Sequence, residues 1–244
     1  MMLFGLTDTG AVRQDNQDSY TIRELSQQLA VAVVCDGMGG AQAGNVASAV
    51  AVEAFAAAVE DACLAGPPAS GPDRQALLGQ ACRKANQVVF ELAEREPGYH
   101  GMGTTLVGAL IQPDQVSVVN IGDSRAYVIR GNDIRQITQD HSLVQAMVAR
   151  GELTREQARV HPKKNLITRA LGVEAEVEAD LFQMSAQPGD RLLLCSDGLS
   201  NVLSDEELLE LCRGGLLEER CRHLMARTLE LGAPDNVSIV MAQL

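Results

Sequence analysis

The chain has 244 residues, a length that one domain commonly reaches, so we expect a single domain over residues 1–244. Its 32 Asp and Glu residues outnumber its 20 Lys and Arg residues and give a formal net charge of −12. This charge repels nucleic acids and anionic membrane surfaces and favours the binding of cations.

The first predicted elements are a strand and two helices. Leu29–Val34 is a short apolar run that Asp-Gly follows closely, the pattern of a buried strand that ends in a turn. Gly44–Cys63 is rich in Ala and predicts a helix packed over a sheet. The breaker segment Gly66–Asp73 separates it from a second helix over about Arg74–Glu96.

Four short apolar or alternating runs follow and predict an antiparallel meander. They are Thr104–Ile111, Gln115–Ile121, Ser124–Arg130 and Ile134–Thr138. The stretch His141–Leu171 loses this pattern and predicts short helices or irregular structure on the surface near the active site.

The remaining elements alternate strands with helices. Strands are predicted at Glu178–Met184 and Arg191–Cys195, helices at about Asp205–Cys212 and Glu218–Leu231, and a last strand at Val237–Met241. Groups of strands with helices before and between them predict stacked layers.

Five aspartates recur beside turn residues, and most of them adjoin a predicted strand. They are Asp18, Asp36, Asp123, Asp197 and Asp235. Two ionised carboxylates about 4 Å apart repel by roughly 4 kcal/mol at an effective dielectric near 20, so a cluster of them implies cations. Oxygen ligands without His or Cys favour Mg²⁺ or Mn²⁺ over zinc or copper. The carbonyl of Gly37 could supply a further oxygen ligand.

The surrounding motifs, taken in order, resemble those of the metal-dependent protein phosphatase family, protein phosphatase type 2C, in its compact bacterial form. The motifs are RQDNQD at Arg13–Asp18, VVCDGMGG at Val33–Gly40, GMGTT at Gly101–Thr105, IGDSRAY at Ile121–Tyr127, LLLCSDGL at Leu192–Leu199 and PDNVS at Pro234–Ser238. The resemblance covers essentially the whole chain. It implies an α+β fold, a four-layer αββα sandwich of two antiparallel β-sheets flanked by helices.

The resemblance also assigns the metal ligands. It implies that Asp36, Asp197, Asp235 and the Gly37 carbonyl bind two Mg²⁺ or Mn²⁺ ions directly. It implies that Asp18 acts through bound water. A third, weaker metal is implied at Asp123 together with Asp197.

The implied reaction is hydrolysis of phosphoserine and phosphothreonine by water that the metal pair activates, with in-line attack at phosphorus and no covalent phosphoenzyme. Arg13 matches the arginine that binds the phosphate. In animal members a histidine occupies the position of Met38. No acid that could protonate the leaving group can therefore be assigned at this position in the present chain. We expect His161, in ARVHPKKN, to be the general acid.

The resemblance implies phosphorylated proteins as partners, namely a bacterial Ser/Thr kinase and its targets, and a monomeric enzyme. Its flap beside the active site corresponds to about residues 142–171. Two alternative hypotheses also include a metal site. One is a module that binds phosphoproteins without turnover, and the other is a different two-metal hydrolase such as a nuclease. The intact arginine and aspartates disfavour the first, and the acidic charge disfavours the second.

Two further expectations concern the cell compartment. The six cysteines show no CxxC pair and no His partner at zinc-site spacing, so we expect reduced core thiols. Met1–Asn16 lacks the basic segment and the continuous apolar stretch of a secretory signal, and no apolar run is long enough to span a membrane. We therefore expect a cytoplasmic protein.

Overall fold

The structure is a computed structural model that describes residues 1–39 and 43–244 in full and residues 40–42 only as part of a helix. Gly40, the last residue of the Val33–Gly40 motif, thus falls outside the fully described residues. The strands are β1 (Met2–Asp8), β2 (Asp18–Ser26), β3 (Leu29–Met38), β4 (Gly103–Thr104), β5 (Leu106–Ile111), β6 (Gln115–Ile121), β7 (Arg125–Arg130), β8 (Asp133–Gln136), β9 (Asp180–Ser185), β10 (Arg191–Cys195) and β11 (Val237–Gln243). The helices are α1 (Gly40–Ala65), α2 (Gly71–Arg95), α3 (Leu143–Ala149), α4 (Arg155–Arg159), α5 (Asp197–Ser200), α6 (Asp205–Cys212) and α7 (Leu217–Glu230).

The strands form two antiparallel sheets. One sheet has the order β1-β11-β10-β7-β8, and the other has the order β2-β3-β5-β6-β9, with β4 paired to the end of β3. Helices α1 and α2 cover the second sheet, and helices α6 and α7 cover the first. The expected αββα sandwich is therefore confirmed.

Alternation along the strands explains how both faces of each sheet are buried. In β3, Val31 and Val33 pack toward α1 and α2, whereas Ala32 and Val34 pack between the sheets. Side chains two residues apart share a face, so Asp36 falls on the same side as Ala32 and Val34, facing the space between the sheets. The strand thus places a carboxylate at one end of an apolar layer.

The predicted elements between Leu29 and Met241 are present, with shifts of a few residues at most ends. The predicted strand Thr104–Ile111 is interrupted at Thr105. The hydroxyl and the amide of Thr105 both form hydrogen bonds with the backbone of Asp36. Strands β1 and β2 and the single-turn helix α5 had no counterpart among the predictions. Among the fully described residues, no helix is both long and apolar enough to cross a membrane.

The cysteines are all free thiols, as expected, and most of them lie in the core. Cys35 and Cys82 belong to the layer between α1, α2 and the second sheet, while Cys195, Cys212 and Cys221 belong to the layer beneath α6 and α7. Burial raises the pKa of the buried thiols, so they act as small apolar side chains.

Candidate metal centre

A cleft of about 510 Å³ opens at the end of the sandwich where Asp36 faces the space between the sheets. The residues that line it are Arg13, Gln14, Asp15, Gln17, Asp36, Gly37, Met38, Gly39, Thr105, Asp123, Asn165, Ile167, Asp197, Asp235 and Asn236. The fold therefore brings together four of the five aspartates singled out in the sequence, together with Gly37 and Arg13. Asp18 lies directly behind them, and His161 is not among the lining residues.

The backbone around Asp36 is fixed by two threonines. The Asp36 amide donates to Thr105 Oγ1 at 2.9 Å, and the Asp36 carbonyl accepts from Thr104 Oγ1 and from the Thr105 amide, each at 2.9 Å. A Cβ atom at the next residue, Gly37, would overlap the carbonyl oxygen of Gly44, so the close approach of α1 to β3 requires glycine there. These contacts hold the Asp36 carboxylate at the cleft.

Asp18 is buried behind the cleft and is only 7% exposed. It lies opposite Asp36 in the β2–β3 pair, and its Oδ2 accepts a hydrogen bond of 2.7 Å from Ser196 Oγ. Its Oδ1 is buried and has no hydrogen-bond partner among the fully described residues. Burial, with the added charges of Asp197 and Asp235, raises the pKa of Asp18 to about 7, although hydrogen bonds from serines oppose the rise.

Asp197 begins the short helix α5 directly after β10. Asn201 Nδ2 donates to its Oδ2 at 2.8 Å, while its Oδ1 is buried and has no partner within residues 1–39 and 43–244. A Cβ atom at Gly198 would overlap the carbonyl oxygen of Asn236, so glycine lets α5 pack against the segment that carries Asp235. The two aspartates consequently reach the same cleft.

Asp235 and Arg13 form the outer side of the cleft. Arg13 Nη2 donates to Asp235 Oδ2 at 2.8 Å, and this hydrogen bond together with the Asp235 charge raises the pKa of the Arg13 guanidinium. Asn236 anchors the loop that carries Arg13, since its side chain accepts from the Gln17 amide at 2.8 Å and donates to the carbonyl of Thr9 at 2.8 Å. The guanidinium is thereby kept beside the carboxylates and remains largely exposed.

Asp123 follows β6, and two residues later Arg125 forms a salt bridge with Asp140. Arg125 donates to both carboxylate oxygens of Asp140, at 2.9 Å from Nε and 2.7 Å from Nη2. The neighbouring Gly122 amide donates to His141 Nδ1 at 3.1 Å. Burial raises the pKa of Asp123 well above its usual range, and the charges of Asp197 and Asp140 raise it further, while the positive charge of Arg125 opposes the rise.

The aspartates influence one another strongly. Burial raises the pKa of Asp36 well above its usual range, and the charges of Asp18 and Asp197 raise it further. Burial raises the pKa of Asp197, and the charge of Asp235 raises it further. Clustered acids that resist ionisation favour a bound cation, because a positive charge removes the repulsion.

Whether the residues fit divalent cations can be judged from their unpaired atoms. The side chains around the cleft offer oxygen donors, and one buried oxygen of Asp18 and one of Asp197 have no hydrogen-bond partner in the part of the chain that the structure describes in full. Within residues 1–39 and 43–244, no group of three His, Cys, Asp or Glu side chains is already arranged to hold an ion. The donor set fits hard cations, and ligation requires carboxylates such as Asp235 to rotate away from their present partners.

His161 lies in the segment after α4 and is partly exposed. Its Nδ1 accepts a hydrogen bond of 3.1 Å from the Lys163 amide. Met38, at the position where animal members carry a histidine, lines the cleft. The general acid proposed from the sequence is thus not among the residues that line the cleft, and its role stays a prediction.

Several supporting residues were missed in the sequence or given only a minor role. Thr105 and Ser196 bond directly to Asp36 and Asp18, and Asn201 bonds to Asp197. The spacing of Asn201 and Asp197, four residues apart at a predicted turn, was a usable signal for a side-chain contact. The contact between Ser196 and Asp18 joins residues 178 positions apart and had no local signal.

Comparison with known proteins agrees with this geometry. The sequence model of the family described as protein phosphatase 2C matches residues 9–242. The serine/threonine phosphatase stp of Listeria monocytogenes is 36% identical over 238 residues, which cover 97% of this chain and 93% of the relative. The crystal structure of the serine/threonine phosphatase Stp1 from Staphylococcus aureus has a TM-score of 0.92 at 36% identity and covers 99% of this chain and 94% of that one.

A further solved structure is that of the catalytic domain of the serine/threonine protein phosphatase PstP in complex with two manganese ions. It has a TM-score of 0.85 at 38% identity and covers 99% of this chain and 97% of that one. The sandwich with its aspartate-lined cleft is thus the catalytic fold of a serine/threonine protein phosphatase. The chain belongs to the protein phosphatase 2C family.

Proposed function

We propose that this chain removes phosphate from phosphoserine and phosphothreonine in proteins, uses two Mg²⁺ or Mn²⁺ ions held by its aspartates, and reverses the action of a bacterial Ser/Thr kinase. The observation that carries this proposal is the convergence of Asp36, Asp123, Asp197 and Asp235 with Arg13 at one cleft. Phosphate ester hydrolysis requires cationic groups that neutralise charge on phosphorus, and this cleft is suited to supply them.

Asp36, Asp197, Asp235 and the Gly37 carbonyl would hold the two ions, with Asp18 contributing from behind through water. Asp123 with Asp197 would hold a third ion. When bound, the ions would activate water for attack and neutralise the negative charge that develops on the phosphoryl group. The manganese ions of the PstP structure support this choice of metal.

Arg13 would bind the phosphate. Its planar guanidinium can donate to two phosphate oxygens at once, which a lysine ammonium does less well. In the present conformation Arg13 donates to Asp235 and more than half of its side chain is exposed. The exposed donors are free to reach an incoming phosphate, and the anchoring of the loop by Asn236 keeps them close to the cleft.

The proton for the leaving serine or threonine oxygen is assigned to His161, as the sequence led us to expect. The hydrogen bond from the Lys163 amide to Nδ1 leaves Nε2 as the nitrogen that carries a proton in the neutral ring. A movement of the segment around His161 would be needed to bring it to the cleft. The pH dependence of kcat in His161→Gln tests this assignment, which fails if the variant retains the basic limb of wild type, where a general acid loses its proton.

The proposed partners are phosphorylated proteins, including a Ser/Thr kinase and its targets, and the proposed state is a monomer in the cytoplasm. Free thiols support a reducing compartment. The named relatives are phosphatases of bacteria, which supports a bacterial signalling context.

The deciding experiment measures phosphate release from a phosphothreonine peptide by protein that has been treated with a chelator and dialysed. Activity should be absent without metal and should return with Mn²⁺ or Mg²⁺. Single-stranded and double-stranded DNA serve as parallel substrates. Cleavage of DNA, or tight binding of the phosphopeptide without phosphate release in Mn²⁺, would overturn the proposal.

A further inference from the structure

A second groove, of about 780 Å³, continues from the catalytic cleft. Met38 and Ile167 line both, so they form the boundary between the two. One wall of the groove is helix α2, with Gly79, Cys82 and Arg83, and the other wall is the chain segment 167–181. A polypeptide whose phosphorylated residue occupied the cleft could pass over this boundary into the groove.

The second wall is held in place by a buried amide. Asn86 of α2 is only 2% exposed, and its Nδ2 donates to the carbonyls of Glu174 and Ala175 at 3.0 and 3.1 Å. Its Oδ1 accepts from the Gly172 amide at 2.8 Å. All the hydrogen bonds of this side chain go to one short segment, so the groove is preformed and not dependent on closure of a loop.

The other end of that wall is fixed by a salt bridge. Arg169 Nη1 donates to Asp180 Oδ1 at 2.9 Å, and the same Asp180 lies 3.2 Å from His141 Nε2. Arg169 lines the groove as well, but its charge is paired with that of Asp180. The segment between these two anchors presents its side chains from a fixed backbone.

Three glutamates lie on this segment and line the groove: Glu174, Glu176 and Glu178. All three are exposed, and none forms a salt bridge with any cationic side chain in the fully described residues. Arg83 on the opposite wall contributes one positive charge. The groove is therefore net acidic, in addition to the −12 charge of the whole chain.

Apolar side chains lie between the glutamates and on the groove floor. Val173, Val177, Ala179 and Leu181 line the groove together with Met38 at the boundary to the cleft. Val173 is 51% exposed and Leu181 is 36% exposed, so both offer contact area to a ligand. Acidic groups with apolar surface between them match the aliphatic stem and charged head of lysine or arginine.

Building on the proposed function, we propose that this acidic groove binds the polypeptide that flanks the phosphorylated residue and selects substrates with lysine or arginine there. The glutamates pair with the basic heads, and the apolar floor contacts the stems. Continuity with the cleft places these residues within a few positions of the phosphoserine or phosphothreonine. Exposed ion pairs are individually weak, so three of them favour a basic substrate by about tenfold in total.

The test compares two phosphothreonine peptides of equal length, one flanked by lysines and one in which alanines replace them. Wild type should hydrolyse the lysine peptide with a kcat/KM about tenfold higher. In E174Q/E176Q/E178Q that ratio should fall toward one, chiefly through a higher KM for the lysine peptide. Because the ratio is taken within one preparation, a change in the folded fraction does not affect it.

A matched control removes three carboxylates from the opposite helical layer, as E210Q/E219Q/E230Q on α6 and α7. This variant has the same overall charge change and should keep the wild-type ratio. Loss of preference in both variants would show an effect of net charge alone and would overturn the proposal. Persistence of the preference in E174Q/E176Q/E178Q would also overturn it.

A third peptide flanked by glutamates tests the opposite polarity. Faster hydrolysis of that peptide, abolished by Arg83→Ala, would assign the groove to acidic substrates and contradict the proposal. Assays of wild type with the small substrate p-nitrophenyl phosphate distinguish failure of the groove assignment from failure of the proposed function. Hydrolysis of it with Mn²⁺ but equal rates on all three peptides refutes the groove assignment alone, whereas no hydrolysis of any substrate refutes the proposed function.

Discussion

Asp18 and Asp36 lie directly opposite each other on the antiparallel strands β2 and β3. Like charges directly opposite each other destabilise a sheet, and burial makes the repulsion stronger. Ser196 bonds to one oxygen of Asp18, but none of the fully described residues bonds to the other oxygen. The pair is therefore unfavourable for folding alone, which is expected where carboxylates are kept for binding a cation.

Replacing Asp36 by Asn should separate function from stability. The substitution removes a proposed metal ligand with almost no change in volume, so Mn²⁺-dependent phosphatase activity should fall by more than the roughly 10–100-fold typical of groups that only orient ligands. The free energy of unfolding of the metal-free protein should change by no more than about 1 kcal/mol, because the substitution removes only the repulsion between residue 36 and Asp18. Phosphate release and urea denaturation measure the two effects.

The same measurements on Asp61→Asn provide the control, because Asp61 is an exposed residue of α1 that does not line the cleft. Its activity and its thermal stabilisation by Mn²⁺ should match wild type. If Asp36→Asn retained wild-type activity and the same Mn²⁺-dependent rise in Tm, Asp36 would not be a metal ligand.

Replacing Thr105 by Val should destabilise the protein and weaken the site together. Thr105 Oγ1 accepts from the Asp36 amide and shares a 2.7 Å hydrogen bond with Ser124 Oγ. Valine has the same shape but leaves the amide unpaired, which costs about 1–3 kcal/mol. Urea denaturation should show this loss, and calorimetric titration should show weaker Mn²⁺ binding.

Ser124→Ala is the companion variant for this prediction. It removes the second hydrogen bond but leaves the Asp36 amide paired with Thr105, so its effect on Mn²⁺ binding should be smaller. A double-mutant cycle then measures the coupling between the two hydroxyl groups. Equal Mn²⁺ affinities in the two single variants would show that the Asp36 amide contact does not position the ligand.

The layered fold and the aspartates were predictable because their signals are local. The strands of the inner layers are continuous apolar runs, and Asp-Gly or Gly-Asp follows three of them. Strand β2 was missed because it has no continuous apolar run. Only Tyr20 and Ile22 pack into the layer between the sheets, and the charged residues Arg23 and Glu24 follow them directly. Helix α5 was missed because four residues are too few to show a helical period.

The long-range contacts that position the aspartates could not be read from the sequence. Ser196 reaches Asp18 across the space between the two sheets, and Asn236 bonds to a loop at the other end of the chain. Such pairs depend on which strand ends meet in three dimensions. The acidic groove is a similar case, because its two walls come from α2 and from a segment about 90 residues later.

Truncating Asn86 to Ala should loosen the groove wall. The buried amide makes three hydrogen bonds to residues 172–175, and their carbonyl and amide groups would lose their partner. We expect a loss of about 1–3 kcal/mol in unfolding free energy and faster amide hydrogen exchange over residues 172–178. The exposed neighbour Gln87 offers a matched truncation on the same helix, and Gln87→Ala should leave exchange in this segment unchanged.

The two variants can also be compared as enzymes. Asn86→Ala should raise KM for a phosphopeptide more than it lowers kcat, because the groove is shaped by this wall while the aspartates are held by other contacts. Exchange rates in residues 172–178 that do not differ between Asn86→Ala and Gln87→Ala would refute the anchoring role.

The pH dependence of stability should carry a contribution from His141. Its imidazole is only 7% exposed, accepts from the Gly122 amide at Nδ1 and lies 3.2 Å from Asp180 at Nε2. Burial lowers the pKa of His141, and the neighbouring Arg169 also lowers it, while Asp180 opposes the change. The folded state therefore binds fewer protons at this residue than the unfolded state does.

Folding stability must then decrease as pH falls below the ordinary histidine pKa of about 6.5, by at most about 1.4 kcal/mol per pH unit for one group. His141→Asn retains an acceptor near the Nδ1 position but cannot titrate in this range. Urea denaturation between pH 7 and pH 5 should show the wild-type free energy of unfolding falling relative to that of the variant. Curves that stay parallel across this range would show that His141 is equally protonated in the folded and unfolded states.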